Sequence, residues 1–184
     1  MPRRTRPTSP GEERVTPLRL WAPWRHAYVA ASRPRSTACI FCFKRLSAAA
    51  RERRLILHET PLALVMLNRY PYNNGHLMVA PRRHVASPEL LTRAERTALD
   101  DLIIHAVTQL RRLLRPAGLN LGANLGKVAG AGIPDHMHWH LVPRWEGDTN
   151  FMPVISSTRV LSQHLAQSFD LLAPHFKAIE TALS

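Results

Sequence analysis

The stretch "AGAGIPDHMHWHLVPRW", residues 129–145, sets histidines at every second position: His136, His138 and His140. Successive side chains of a β-strand point to opposite faces, so this alternation predicts a strand with two unlike sides. Met137, Trp139 and Leu141 form a core face, and the three imidazoles form a row roughly 6–7 Å apart on the other. Just upstream, "LNLGANLG" (119–126) reads as a second short strand. The glycine-rich "KVAGAGIPD" (127–135) is the loop that joins the two.

Further outward, "SPELLTRAERTALDDLIIHAVTQLRRLLRPAG" (87–118) is the clearest helix. Ser87 suits its N-cap, Pro88 its first position and Glu89 its dipole. Leu91, Ala94, Ala98, Leu102, Val107, Leu110 and Leu114 fall near a 3.6-residue stripe, and Pro116 and Gly118 end it. In "LILHETPLALVMLNRYPYNNGHLMVAPRRHV" (55–85), the apolar runs "LALVML" and "HLMVA" flank the turn-rich "NRYPYNNG". They are expected to be neighbouring antiparallel strands. "KRLSAAARERR" (44–54) suits a short helix or surface loop, and an amphipathic segment from about 160 to 183 is broken or kinked at Pro174. Strands with one long helix between them, and a helix at the C-terminal end, predict an α+β fold on an antiparallel sheet of about five strands.

Charge is concentrated at one end. Residues 1–54 hold 13 of the 25 Lys and Arg but only Glu12, Glu13 and Glu52 of the 13 acids, so they carry +10 of the net +12. Residues 1–16 lack periodicity and are expected to be a disordered basic tail, ahead of a single domain over 17–184. Nucleic-acid contact is compatible with such an arm, but a solubilising tail is the favoured reading because no aromatic-interleaved pattern accompanies the charge. In "LRLWAPWRHAYV" (18–29), Trp21, Trp24 and Tyr28 suggest an arm that docks on the domain or on a second subunit. No apolar run reaches the roughly 18 residues of a membrane span. The N-terminus lacks the apolar core of a secretory signal, and Glu12 and Glu13 argue against an organelle transit peptide, so a cytoplasmic location is expected. The two cysteines, Cys39 and Cys42 in "CIFC", are no disulfide framework. They read as half a metal site or as a redox pair, with metal favoured if two more ligands are found.

Three collinear histidines cannot all bind one ion, because the outer two lie roughly 13 Å apart on an extended strand. Burying all three as core residues would demand partners for every ring nitrogen. Nucleophilic catalysis on phosphorus fits better. One neutral imidazole attacks, a neighbour donates to the phosphate, and the loop glycines Gly130 and Gly132 offer backbone N–H groups.

The pattern "HMHWHLV" resembles the signature of the histidine triad superfamily of nucleotide hydrolases and transferases. "LNRYPYNNGHLMVAPRRH" is similar to that family's ribose-binding hairpin. "LWAPWR", "CIFC" and "VPRWEGDTNFMPV" resemble the bacterial branch that includes diadenosine tetraphosphate phosphorylases and hydrolases. This resemblance covers roughly residues 18–160. It implies that His138 is the nucleophile, through a covalent nucleotidyl-histidine, and that His140 contacts the phosphate. It places Asn68 at the ribose hydroxyls, His76 as a support of the triad and Asn124 near the bridging oxygen. It further implies a structural zinc on Cys39, Cys42, His84 and His136, with no cofactor needed for the chemical step, and a homodimer acting on a small nucleotide. Some phosphorylases of this branch carry a serine where this chain has Gly132, which brings hydrolysis by water forward as the alternative to phosphorolysis. The remaining alternatives are another triad reaction, uridylyl transfer or phosphoramidate hydrolysis, or a zinc-stabilised nucleotide-binding module without turnover.

Overall fold

The structure is a computed structural model, and it describes residues 39–148 and 165–177. The expected basic tail and aromatic arm lie outside the described residues, as do parts of "VPRWEGDTNFMPV" and of the C-terminal segment. Element order is α1 (Ala48–Arg53), β1 (Ile56–Glu59), β2 (Ala63–Leu67), β3 (Leu77–Pro81), a 3-10 turn (Pro88–Leu90), α2 (Arg93–Leu114), β4 (Gly118–Ala123), β5 (Trp139–Arg144) and α3 (Leu165–Lys177). The five strands form one sheet in the order β1-β2-β3-β5-β4, with each neighbouring pair antiparallel. The fold is α+β, as the alternation of runs predicts.

Side-chain alternation gives the sheet two different faces. Ala63, Val65 and Leu67 of β2 and Leu77 and Val79 of β3 pack against Leu99, Leu102, Ala106 and Leu110 of α2 and Leu172 and Phe176 of α3. Leu64, Met66, Met78 and Ala80 point the other way, onto Phe41 and its neighbours Cys39, Phe43 and Leu46. Helices therefore cover one face and the CIFC segment covers part of the other. His140 pairs with Met78 across β3 and β5, which assigns it to the face without helices. A one-residue slip of β5 would turn the imidazoles into the helical core, so the register is strongly specified.

Four expectations change. First, β5 begins only at Trp139, so His136 and His138 precede the strand rather than lie in it. Alternation survives nonetheless, because Met137 is buried in the helical core while Phe41 contacts both His136 and His138 on the opposite face. Second, α2 starts after Thr92, not Ser87. Leu91 is extended (ψ 141°) and interrupts the run after Pro88–Leu90. Thr92 and Glu95 then close a reciprocal capping box, and Arg83 clamps Glu95 at 2.8 and 2.7 Å, whereas Ser87 makes no side-chain cap. Third, Ala94 is exposed and Glu95, Leu99 and Ala106 join Leu102 and Leu110 in the buried stripe of α2, while Leu91, Ala98, Val107 and Leu114 pack in or against the same core as expected. Fourth, Pro174 lies inside α3 without breaking it. Leu172 and Phe176, both buried in the core, hold the helix on either side of the missing N–H.

The loop between β2 and β3 turns back at Gly75, whose φ is +69°. A Cβ there would press on the Leu114 side chain of α2, and the positive φ itself suits glycine, so glycine lets the hairpin lie close against the helix. That close approach delivers the next residue, His76, fully buried to the head of β3.

Candidate functional site

Two histidine clusters share the face opposite the helices. The first joins the CIFC turn, the segment after β3 and the approach to β5. Cys39 and Cys42 are brought together by the turn bond from the Cys42 N–H to the Cys39 carbonyl at 3.1 Å. Their Sγ atoms lie 3.3 and 3.4 Å from His136 Nδ1, and Cys42 Sγ is 3.2 Å from His84 Nδ1. The two Nδ1 atoms are 3.2 Å apart, and all four donor atoms fall within 4.8 Å of one another. His84 is exposed as a residue, yet its ring nitrogen faces into the cluster.

The tautomer of His136 is set by its other nitrogen. Nε2 donates to the Pro81 carbonyl at 2.9 Å, so Nδ1 carries a lone pair in the neutral ring. Burial lowers the His136 pKa, which keeps the ring neutral, with the Pro81 carbonyl partly opposing. One lone pair cannot accept from two thiols and an imidazole at once. A cation at their centre satisfies all four, since tetrahedral bonds of about 2.0–2.3 Å set ligand atoms roughly 3.5 Å apart. Burial, reinforced by Cys39, raises the Cys42 thiol above its ordinary range, a cost that a bound cation reverses by stabilising the thiolate. The four residues can thus hold a metal ion, and a two-thiolate, two-imidazole set is one that zinc favours.

The second cluster consists of His138, His140 and His76. His138 Nδ1 donates to the His136 main-chain carbonyl at 3.0 Å, which leaves Nε2 unprotonated in the neutral ring. No hydrogen bond reaches that Nε2 among the described residues. Burial depresses the His138 pKa, only partly offset by the carbonyl, so the imidazole stays neutral below the ordinary histidine range. His140 stands beside it, with ring centroids 4.9 Å apart. The proton on His140 follows from a chain of bonds. The Tyr72 N–H donates to His76 Nδ1 at 3.0 Å, so His76 carries its proton on Nε2. His76 Nε2 lies 2.9 Å from His140 Nδ1 and donates to it, which places the His140 proton on Nε2. One imidazole therefore offers a lone pair and its neighbour a donor. This is the complementary pair that phosphoryl chemistry uses.

The remaining sequence candidates are placed as follows. Asn68 sits at the base of the hairpin, where its Oδ1 accepts from the Tyr70 N–H at 2.9 Å and its Nδ2 lies 3.4 Å from His76 Nδ1. Asn124 follows β4, and its Nδ2 donates to the Gly130 carbonyl at 3.4 Å, shaping the glycine loop. Gly130 has φ +88° and its N–H closes a turn onto the Lys127 carbonyl at 3.0 Å, so that donor is committed. Gly132 is exposed. Sequence reasoning missed Tyr72, whose main-chain N–H sets the His76 tautomer and whose ring lies 4.7 Å from His76 and 5.8 Å from His140. It also missed Asp148, whose carboxylate gathers Arg144, Asn73 and the Trp145 N–H. Neither has a motif of its own. Only their position in hairpin and turn marks them.

A model of the HIT domain matches residues 50–147. A protein of Mycobacterium tuberculosis named AP-4-A phosphorylase is 39% identical over 160 residues, covering 84% of this chain and 82% of its own. Among solved structures, a Zn-bound histidine triad family protein from Mycobacterium smegmatis aligns with a TM-score of 0.58 at 22% identity, over 80% of this chain and 99% of that one. Diadenosine triphosphate hydrolase of Plasmodium falciparum aligns with a TM-score of 0.56 at 17% identity, over 78% and 85% of the two chains. At these identities the two structures speak for the fold alone.

Proposed function

The chain belongs to the HIT family, and from that premise we propose that it cleaves dinucleoside polyphosphates, chiefly diadenosine tetraphosphate, through a nucleotidyl group carried on His138. The observation that carries this reading is the opposite proton placement on neighbouring rings, with a lone pair on His138 Nε2 and a proton on His140 Nε2. The 39% identical relative named AP-4-A phosphorylase supports the choice of substrate.

In the first step His138 Nε2 attacks the α-phosphorus. The P–N bond forms, the bond to the bridging oxygen breaks, and a nucleoside polyphosphate leaves with the electron pair. His140 donates from Nε2 to a non-bridging oxygen as negative charge builds there. The His136 carbonyl, already bonded to His138 Nδ1–H, stabilises the ring as it becomes positive. In the second step inorganic phosphate or water attacks the same phosphorus, the P–N bond breaks, and neutral His138 is restored. Asn68, Asn124 and Gly132 are assigned to the nucleotide, Asn68 through the hairpin that also holds His76, while Gly130, its N–H committed to the Lys127 carbonyl, shapes the loop instead.

Cys39, Cys42, His84 and His136 are assigned to a structural zinc. The set supplies four protein ligands and leaves no open position, so the ion ties the CIFC segment to the sheet rather than activating water. A homodimer is supported by the exposed edge strand β4 together with Leu121 and Ile104, which are 46% and 65% exposed. No described helix is long and apolar enough to cross a membrane, and two neighbouring cysteines that form no disulfide suit a reducing compartment such as the cytoplasm.

Product analysis of diadenosine tetraphosphate turnover, with and without inorganic phosphate, tests the reading. ADP and ATP formed only when phosphate is present mean that phosphate resolves the intermediate, and AMP and ATP regardless of phosphate mean that water does. No cleavage under either condition, or full cleavage by His138→Ala, overturns the proposal.

A further inference from the structure

Beyond β5 the chain makes a turn whose wiring is more elaborate than a surface turn requires. Gly147, at φ +71°, bends the backbone so that the Asp148 N–H reaches the Trp145 carbonyl at 3.2 Å while the Trp145 N–H reaches Asp148 Oδ2 at 3.1 Å. Arg144 then grips both carboxylate oxygens, Nε to Oδ2 at 2.6 Å and NH2 to Oδ1 at 2.7 Å, and its NH1 extends to Asn120 Oδ1 on β4 at 3.1 Å. The Asp148 side chain is only 10% exposed.

The informative bond joins residues 75 positions apart. Asn73 Nδ2, in the hairpin between β2 and β3, donates to Asp148 Oδ2 at 2.8 Å. Asn73 is held at two further points, its Oδ1 accepting the Asn74 N–H at 3.0 Å and its main-chain carbonyl accepting the His76 N–H at 3.2 Å. It therefore lies between Tyr72, which supplies the donor to His76 Nδ1, and His76 itself.

We propose that Asp148, oriented by Arg144, is a positioning residue that holds Asn73, and through it the Tyr72–His76 segment, so that His140 keeps its proton on Nε2. This inference rests on the catalytic reading of His138 and His140 given above. The physical reason is tautomeric. If the hairpin drifts, the Tyr72 N–H leaves His76 Nδ1, the 3.4 Å contact from Asn68 Nδ2 is too long to hold the tautomer by itself, and neutral His76 can carry its proton there instead. His76 Nε2 then becomes an acceptor, His140 turns its own proton toward it on Nδ1, and His140 Nε2 presents a lone pair to an anionic phosphate. A donor becomes a repulsive acceptor without any change in the triad's sequence.

The test combines kinetics on diadenosine tetraphosphate with nitrogen-15 spectra of the histidine rings, recorded at pH 8 without substrate. Asp148→Ala is expected to lower kcat by roughly tenfold to a hundredfold, the scale of a small misplacement at a reacting centre, with KM changed far less. Its His140 signals are expected to move from the Nε2–H pattern toward a mixture of tautomers. Asn73→Ala, which leaves the Arg144–Asp148 pair intact, is expected to do the same, and the double variant to be no worse than the more severe single one. Asp148→Asn, which keeps an acceptor for Asn73, is expected to retain more activity than Asp148→Ala. Unchanged kcat in folded Asp148→Ala, or His140 remaining Nε2-protonated in both alanine variants, overturns the inference. If Asp148→Ala does not fold, Asn73→Ala alone carries both readouts. Turnover that survives His138→Ala would instead remove the proposed function, while the substrate-free spectra would still decide whether Asp148 sets the tautomer.

Discussion

His138 has two nitrogens with different fates, and the proposed nucleophilic role rests on this difference. Nδ1 is bonded to the His136 carbonyl, and burial depresses the pKa below its ordinary value of 6.5. A depressed pKa extends the neutral, attacking form to lower pH. The acid limb of the kcat/KM profile should therefore have its midpoint below 6.5 and should lie higher in any variant that opens the site to solvent. A midpoint at or above 6.5 in the unmodified enzyme would contradict the burial argument. At this scale the sequence displayed the three imidazoles and the thiol pair, because alternation and C-x-x-C spacing survive folding. Which nitrogen carries each proton was not legible. It depends on the Pro81 carbonyl and the Tyr72 N–H, main-chain groups that every sequence possesses. Asn68 was legible as a hairpin carboxamide, but its bonds to the hairpin's own groups were not.

Among the elements, α2 was visible in length and amphipathic character but not in its first residue. Both Ser87-Pro88 and Thr92 look like helix starts, and a long-range contact chooses between them. Arg83, from the segment after β3, clamps Glu95 and fixes the capping box at Thr92. The Arg83 guanidinium, with help from the Thr92 N–H, lowers the Glu95 pKa from 4.5 to about 2. A depressed carboxyl pKa contributes stability above the unfolded value and loses it as pH falls. Acidification from about pH 4.5 toward 2 should therefore destabilise the protein through this group. Glu95→Gln should be less stable near neutrality, by about 2 kcal/mol for lost charge-assisted bonds. It should also show a shallower decline across that acid range. Melting temperatures measured at several pH values check both slopes, and parallel slopes would show that Glu95 does not titrate there. Strand β5 taught a similar lesson, since its regular pairing begins only at Trp139. The Met137 N–H bonds instead to the Val85 carbonyl at 2.7 Å, a partner that local pattern does not reveal.

At the largest scale, the described residues form a sheet with a helical core behind it and two histidine clusters in front. His136 belongs to both clusters, its ring to the four residues that can hold a metal and its carbonyl to His138. A bound zinc would therefore fasten the CIFC segment to the sheet and steady the group that orients His138, the proposed nucleophile. Chelation should lower the melting temperature, release one zinc per chain, and be reversed by added zinc. Cys39→Ser with Cys42→Ser should reproduce the lower melting point and abolish its response to chelator. Inhibition by chelator with no loss of stability would instead point to a metal acting in the chemistry. The α+β architecture was legible because periodicity alternates cleanly between strand and helix runs. The folding of CIFC onto the front of the sheet was not readable from any local feature; it entered only through the resemblance to a known family.

The central claim is that His138 carries the nucleotidyl group. Its most direct measurement is the intact mass of the protein, denatured without acid within one turnover of mixing with diadenosine tetraphosphate in phosphate-free buffer. A gain of one adenylyl group per chain is expected, absent in His138→Ala and discharged by the second nucleophile. Turnover with no adduct at any time, or an adduct that persists in His138→Ala, would contradict it.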